Sequence, residues 1–200
     1  AGFDIVRGRK ADGWRIIATG EMGLGITSTS AAMAAAMLRC DVATVTGRGA
    51  GLNDSGLERK IRVIESAIEK YDLYNKDTFE ILMTVGGLDI AGLVGVCIGG
   101  ALYHIPVVLD GVISMVSALA AGRLHSGVSA YINPSHDGRE PAVALLCEAL
   151  SVKPVIRASL ALGEGTGAVM MFALLDMALS VYKGRTTFDD ISVSQYEMYV

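Results

Sequence analysis

A single carboxylate stands inside a run of glycines in Leu162-Gly163-Glu164-Gly165-Thr166-Gly167-Ala168, directly ahead of an apolar stretch of helical character. Glycine removes side-chain bulk and admits unusual backbone angles, so a ligand can come right up to the main chain. The start of a helix adds free N–H groups and the positive end of its dipole, which suit an anion or a charge that develops during reaction. Glu164 is therefore a candidate catalytic carboxylate, and Gly165, Thr166 and Gly167 are candidate substrate contacts. The alternative is a helix-capping turn that carries a solvated acid.

A second turn of this kind, Gly20-Glu21-Met22-Gly23-Leu24-Gly25-Ile26-Thr27-Ser28, follows an apolar run and opens an alanine-rich stretch. Turns so placed cradle phosphate on backbone N–H groups, here with the Thr27 and Ser28 hydroxyls beside the helix start. The segment has neither the Gly-Lys-Ser/Thr of a Walker A loop nor the spacing of a dinucleotide fingerprint, so a plain tight turn stays open. Asp110 ends the apolar run Pro106-Val107-Val108-Leu109 in an Asp-Gly turn, and open α/β sheets bind ligands beyond the carboxyl ends of such strands. Its alternative is to cap a helix or hold the turn. Lys60, alone on an amphipathic stretch, reads by itself as solvated. His136, in Asn133-Pro134-Ser135-His136-Asp137-Gly138, is a candidate ligand or acid. His104 and His125 share no metal-type spacing with each other or with the cysteines, so no metal and no cofactor are expected.

Short apolar runs alternating with longer helical ones, each switch marked by glycine or a polar turn, predict βα units on a mostly parallel sheet. Strands are expected at Trp14–Ala18 and Pro106–Leu109, and Val42–Val45 as a strand or an extended loop. Helices are expected from about Ser28 to Arg39, Ser55 to Tyr71, Thr78 to Val85, Ile90 to Tyr103, Ile113 to Ala121, Pro141 to Leu150 and Thr166 to Tyr182. Residues 1–182 form the core in this reading. Residues 183–200 read as a terminal arm, polar at first and then aromatic.

With 200 residues the chain suits one α/β domain with, at most, a small appendage. Hydrophobic residues make up 52% and charged residues only 19%, a surface short of charge. Such a chain hides apolar area in an oligomer interface or lacks a segment that would cover it. The net charge of −4 and scattered basic residues argue against nucleic acid as a partner. Cys40, Cys97 and Cys147 have no CxxC pairing and read as free thiols of a reducing compartment, hence the cytoplasm. No signal peptide is visible. The nearest approach to a membrane span, Leu88–Leu109, contains Asp89, His104 and Pro106 and breaks into a helix and a strand, so no membrane association is expected.

Taken in order, Gly20-Glu21-Met22-Gly23-Leu24-Gly25, Thr46-Gly47-Arg48-Gly49, Gly86-Gly87-Leu88-Asp89-Ile90-Ala91, Pro106 to Gly111, Ser135-His136 and Leu162 to Ala168 resemble the nicotinate-nucleotide:dimethylbenzimidazole phosphoribosyltransferase family. The resemblance runs from about position 12 nearly to the C-terminus and covers only the later part of a family member. It implies a Rossmann-like three-layer α/β core with a small helical domain left incomplete, the arm at 183–200 belonging to that domain. It implies transfer of phosphoribose from nicotinate mononucleotide to 5,6-dimethylbenzimidazole or a related base in cobalamin biosynthesis, by a homodimer. Glu164 matches the family's general base. Glu21 and Lys60 match active-site positions, with Lys60 on the nucleotide phosphate and Gly23 and Gly25 approaching it through the backbone. Two departures, Ile26-Thr27-Ser28 where the family continues Asn-Thr-Thr and Ala161 where it commonly has Arg, bear on nucleotide affinity and acceptor identity. The competing expectation is a non-catalytic nucleotide-binding module or inactive fragment of such an enzyme.

Overall fold

The computed structural model describes residues 1–194. Three short strands, β1 (Ile17–Ala18), β2 (Val107–Leu109) and β3 (Ile132–Pro134), form one parallel sheet in the order β1-β2-β3, with Ile17 opposite Val107 and Val107 opposite Ile132. Side chains alternate across a strand, and β2 uses both faces. Val107 and Leu109 join the main core with α2 (Ile26–Leu38), α6 (Leu88–Tyr103) and α7 (Val112–Leu124). Val108 turns the other way, onto Ala168 and Met171 of α9 (Thr166–Gly184). Helices therefore cover both faces of the sheet, the three-layer arrangement expected of the fold. All three β2 side chains are fully buried, each stabilising the fold by about 1.5–3 kcal/mol.

The alanine-rich sequence of α2 is explained by its burial, since Ser30 to Met37 are buried all round and small side chains let neighbouring helices approach closely. The amphipathic α4 (Asp54–Lys70) instead lies on the surface, capped by the Asn53 side chain, with Ile64 and Ile68 inward. Helix α5 (Thr78–Val85) starts in a reciprocal capping box between Asp77 and Glu80. Helix α8 (Ala142–Leu150) completes the main core through Ala142, Val143 and Leu146.

Several expectations need correction. Val42–Val45 is a one-turn helix, α3, because the Asp41 side chain accepts from the Ala43 amide at 2.8 Å and caps it. The strand expected at Trp14–Ala18 is reduced to Ile17–Ala18, since the Trp14 amide donates to the Arg9 carbonyl and closes α1 (Gly2–Ala11). Helix α1 itself is not among the expected elements, because it carries little apolar periodicity. It is held by close approach: a Cβ on Gly95 would lie 3.0 Å from the Phe3 nitrogen and one on Gly99 2.9 Å from Val6 Cβ, so two glycines four residues apart clear a seat for α1 on α6. Strand β3 is likewise an addition, being short and ended by proline.

The Leu88–Leu109 run is indeed divided, into α6 and β2. Among the described residues the helix that is long and apolar enough to cross a membrane, by length and composition alone, is α9, and most of it is exposed. Of the arm expected at 183–200, residues 185–194 are exposed and residues 195–200 lie outside the described residues.

Candidate active site

The carboxyl ends of the three strands each deliver a buried polar group to one region. After β1, the Thr19 hydroxyl lies 3.1 Å from the Val108 carbonyl and 2.9 Å from Ser114 Oγ. After β2 comes Asp110 and after β3 come Ser135 and His136, all at most 4% exposed. Asp110 and His136, with Gly111 to Ser114, form the floor of a cavity of about 310 Å³, and Thr19 and Ser135 lie behind it; the other walls are the Glu21–Thr27 turn, Gly49, Gly138 to Glu140 and residues of the Leu160–Glu164 segment. A cavity beyond the strand ends of a parallel sheet is the usual ligand position in such folds.

Six of the residues expected to act here line this cavity: Glu21, Gly23, Gly25, Thr27, Asp110 and Glu164. Lys60 does not line it but stands directly behind, its Nζ donating to Thr27 Oγ1 and to the Gly47 carbonyl, both at 2.9 Å. Lys60 is buried, which lowers its pKa from 10.5, while the nearby Glu140 works in the opposite direction. Ser28, Gly165, Thr166 and Gly167 are not part of the lining. The Ser28 amide is committed to the Gly25 carbonyl at 2.8 Å.

The two helix N-termini differ in an instructive way. At α9, Asp110 Oδ2 accepts from the Gly165 amide at 3.1 Å, and Oδ1 accepts from the Gly167 and Ala168 amides at 2.9 and 3.3 Å. The amides expected to face a substrate anion face a protein carboxylate instead, so the capping role of Asp110 is the one the structure displays. At α2 no side chain caps the start. Gly25 is the N-cap with φ +82°, and the Ile26 and Thr27 that follow it line the cavity. The open positive end of a helix is thus the one beside Thr27 and Lys60.

Glycine is also required where the two turns meet. A Cβ on Gly20 would lie 2.7 Å from the Gly165 nitrogen, and one on Gly167 would collide with the His136 ring. Between these contacts Gly163, Glu164 and Gly165 are all left-handed, with φ +77°, +59° and +86°. Of the other left-handed non-glycine residues, Arg39, His104 and Ser151 are C-caps of helices, Asp72 precedes a short 3-10 turn, and Ser159 and Ser192 lie outside helices; Glu164 stands before a long helix, between two left-handed glycines. A non-glycine residue in that region costs about 1–2 kcal/mol. The carboxylate projects from this strained backbone at the exposed rim of the cavity. Glu21, on the facing wall, is partly buried, and burial together with Asp89 raises its pKa from 4.5.

Glu140 lies outside the residues singled out from the sequence, and His136 is singled out there without an assigned role. Glu140 accepts from the Gly49 amide at 3.0 Å and so fixes the Thr46-Gly47-Arg48-Gly49 loop next to Lys60; nothing in its spacing signals this. His136 reads from the sequence only as a ligand or acid in a turn, and the structure places it in the floor. Among the described residues no group of three His, Cys, Asp or Glu is placed to hold a metal ion.

Known proteins are similar to this chain along nearly its whole length. A family model described as phosphoribosyltransferase (DBI_PRT) matches residues 1–193. The nicotinate-nucleotide–dimethylbenzimidazole phosphoribosyltransferase of Acetivibrio thermocellus is 40% identical over 199 residues, which is 100% of this chain and 57% of that protein. The protein of the same name from Geobacter sp. (strain M21) is 39% identical over 96% of this chain and 55% of its own length. The crystal structure of CobT from Thermus thermophilus superposes with a TM-score of 0.89 at 33% identity, over 98% of this chain and 58% of that one. The chain spans a little over half the length of the curated relatives it matches. With the family model matching nearly the whole chain and the fold shared at a TM-score of 0.89, the chain belongs to the DBI_PRT phosphoribosyltransferase family.

Proposed function

We propose that this chain carries the phosphoribosyl-transfer centre of an enzyme that moves phosphoribose from nicotinate mononucleotide to 5,6-dimethylbenzimidazole or a related base, yielding α-ribazole 5′-phosphate and nicotinate in cobalamin biosynthesis. The observation that carries this reading is Glu164, a non-glycine residue held left-handed between two glycines at the rim of the cavity. Strain kept at one residue is a pointer to function. The relatives' printed names supply the reaction class.

In this reading the nucleotide phosphate lies at the uncapped start of α2, against the backbone of Gly23 and Gly25, the Thr27 and Ser28 hydroxyls and the Lys60 charge behind them. The base enters from the open side, against Glu164. The Glu164 carboxylate accepts the N–H proton of the benzimidazole, and the other ring nitrogen attacks C1′ of the ribose from the face opposite nicotinate. The bond from C1′ to the pyridine nitrogen breaks, its electron pair stays on that nitrogen, and the cationic ring leaves as neutral-ring nicotinate. No acid is needed for that departure. Glu21 faces the same space and keeps its proton to a higher pH than an ordinary carboxyl group. Asp110, Gly165, Thr166 and Gly167 serve by fixing the backbone from which Glu164 projects.

The test mixes nicotinate mononucleotide and dimethylbenzimidazole with the protein and follows release of nicotinate. Glu164→Gln lowers the rate by about 10²- to 10⁴-fold, the usual contribution of a positioned base. Undiminished turnover in that variant overturns the assignment.

One observation favours a second reading, a nucleotide-binding module without transfer. Glu164, Leu24 and Leu162 line the cavity yet are exposed, so the apolar side chains beside Glu164 are left uncovered by the described residues. This reading predicts calorimetric binding of nicotinate mononucleotide with no product. The proposal extends to a homodimer, supported by the exposed apolar side chains Val169, Met177 and Val181 on α9. It extends also to a cytoplasmic location, supported by three free cysteines. The segment from Lys183 onward is assigned to a second, helical domain.

A further inference from the structure

His136 takes part in none of the steps above, yet it is the one imidazole in the cavity floor, only 4% exposed. Its surroundings determine which nitrogen carries the proton. Ser135 Oγ lies 2.7 Å from the Leu109 carbonyl, 3.3 Å from the Asp110 carbonyl and 2.9 Å from His136 Nδ1. A hydroxyl has a single proton. A hydroxyl oxygen 2.7 Å from a carbonyl oxygen is repulsive unless that proton lies between them, so Ser135 donates to Leu109 and accepts from His136. The Nδ1 atom therefore carries hydrogen. The Asp110 carboxylate, with Oδ1 4.0 Å from Nδ1, favours the same tautomer.

In the neutral ring with this tautomer, the other nitrogen is a lone-pair acceptor. A Cβ on Gly111 would lie 3.9 Å from Nε2 and one on Gly138 3.7 Å, so two glycines of the cavity lining leave the space beside this atom clear. Behind the ring, Gly167 packs so closely that no side chain fits, which fixes the plane of the imidazole. An acceptor held from three sides and open on the fourth takes a donor from the cavity. A fully ionised phosphate or carboxylate has no proton to give the neutral ring, whereas a sugar hydroxyl has one. Resting on the proposal that a ribosyl phosphate occupies this cavity, we infer that His136 Nε2 accepts a hydrogen bond from one of its ribose hydroxyls and orients the sugar for attack at C1′. His136 is thus a positioning residue for the donor nucleotide.

The experiment measures calorimetric binding of nicotinate mononucleotide and of its 2′-deoxy and 3′-deoxy forms to three proteins: wild type, His136→Asn and His136→Gln. In wild type, one of the two deoxy forms binds about tenfold more weakly than the parent, the loss of a single hydrogen bond. His136→Asn keeps a donor near Nδ1 but has no acceptor at Nε2. It binds the parent about tenfold more weakly and no longer distinguishes that deoxy form. His136→Gln places an oxygen near the Nε2 position and restores the distinction at least in part. A merely structural role weakens all three ligands equally in the variants, and that result overturns the inference. So does wild type that binds both deoxy forms as tightly as the parent, a measurement that needs no variant to fold. Failure of wild type to bind the parent nucleotide overturns the functional reading and this inference together, whereas tight binding without discrimination overturns the inference alone.

Discussion

On the strand side of the cavity Thr19, Asp110, Ser135 and His136 are nearly inaccessible and each is hydrogen-bonded, mostly across the sheet. Across the opening, Gly23, Leu24, Leu162 and Glu164 are exposed or partly so, and the Glu164 carboxylate has no hydrogen-bond partner among the described residues. The floor holds its polar groups through other side chains and carbonyls. The rim holds its acid through the backbone alone, by three consecutive left-handed residues. The difference shows how a carboxylate can be kept unengaged and still aimed. Its orientation is set by the peptide, which is anchored in turn to the floor through Asp110.

Breaking that anchor has the largest expected effect. Asp110→Ala leaves three buried amides without an acceptor and lowers stability by about 3–5 kcal/mol, seen as a fall in Tm of order 10 °C. An unchanged Tm shows that the floor does not hold the rim. Gly167→Ala forces a methyl into the His136 ring and costs about 1–3 kcal/mol by denaturant unfolding, with weaker nucleotide binding as well. On the rim the sign reverses. Glu164→Gly relieves the left-handed backbone and raises stability by about 1 kcal/mol while removing the proposed base, so a stability loss there refutes the strain argument.

The smallest effects are in pH dependence. Burial lowers the Lys60 pKa below 10.5, so between the lowered value and 10.5 the unfolded chain binds more protons and stability rises with pH. Lys60→Met removes that rise, readable as a changed slope of Tm against pH relative to wild type. Burial pushes the Cys97 thiol from 9.0 up to about 12, so the unfolded chain loses this proton first and stability falls as pH rises through that window. Cys97→Ala flattens the fall, and native Cys97 resists alkylation until the protein unfolds.

What the sequence made legible follows from local chemistry. The glycine turns at Gly20–Ser28 and Leu162–Ala168, the Asp-Gly turn at Asp110 and the long helices all advertise themselves within a few residues. The pairing of Asp110 with Gly165 and Gly167 does not, because the partners are more than fifty residues apart and either reading of Asp110, cap or ligand contact, fits the local string. Lys60 is similar: its helix predicts a solvated ammonium, and only the fold brings Thr27 and Gly47 to it. Helix α1 is invisible for a related reason, since its stability derives from a seat cut by Gly95 and Gly99 rather than from its own apolar stripe.

The parallel pairing of β1 with β2 joins Thr19 to Val108, positions 89 apart in the chain. Closing a loop of that length costs on the order of 4 kcal/mol in entropy before any strand contact repays it. Folding of such a topology is slow. On a ribosome the first strand emerges long before its neighbour and must wait unpaired, while α2 and α4 can already collapse against each other. The cavity lining draws on separated segments of which the last is Leu160–Glu164, so it cannot assemble until synthesis has passed that segment. The nucleotide binding proposed above would then report that these distant segments have come together.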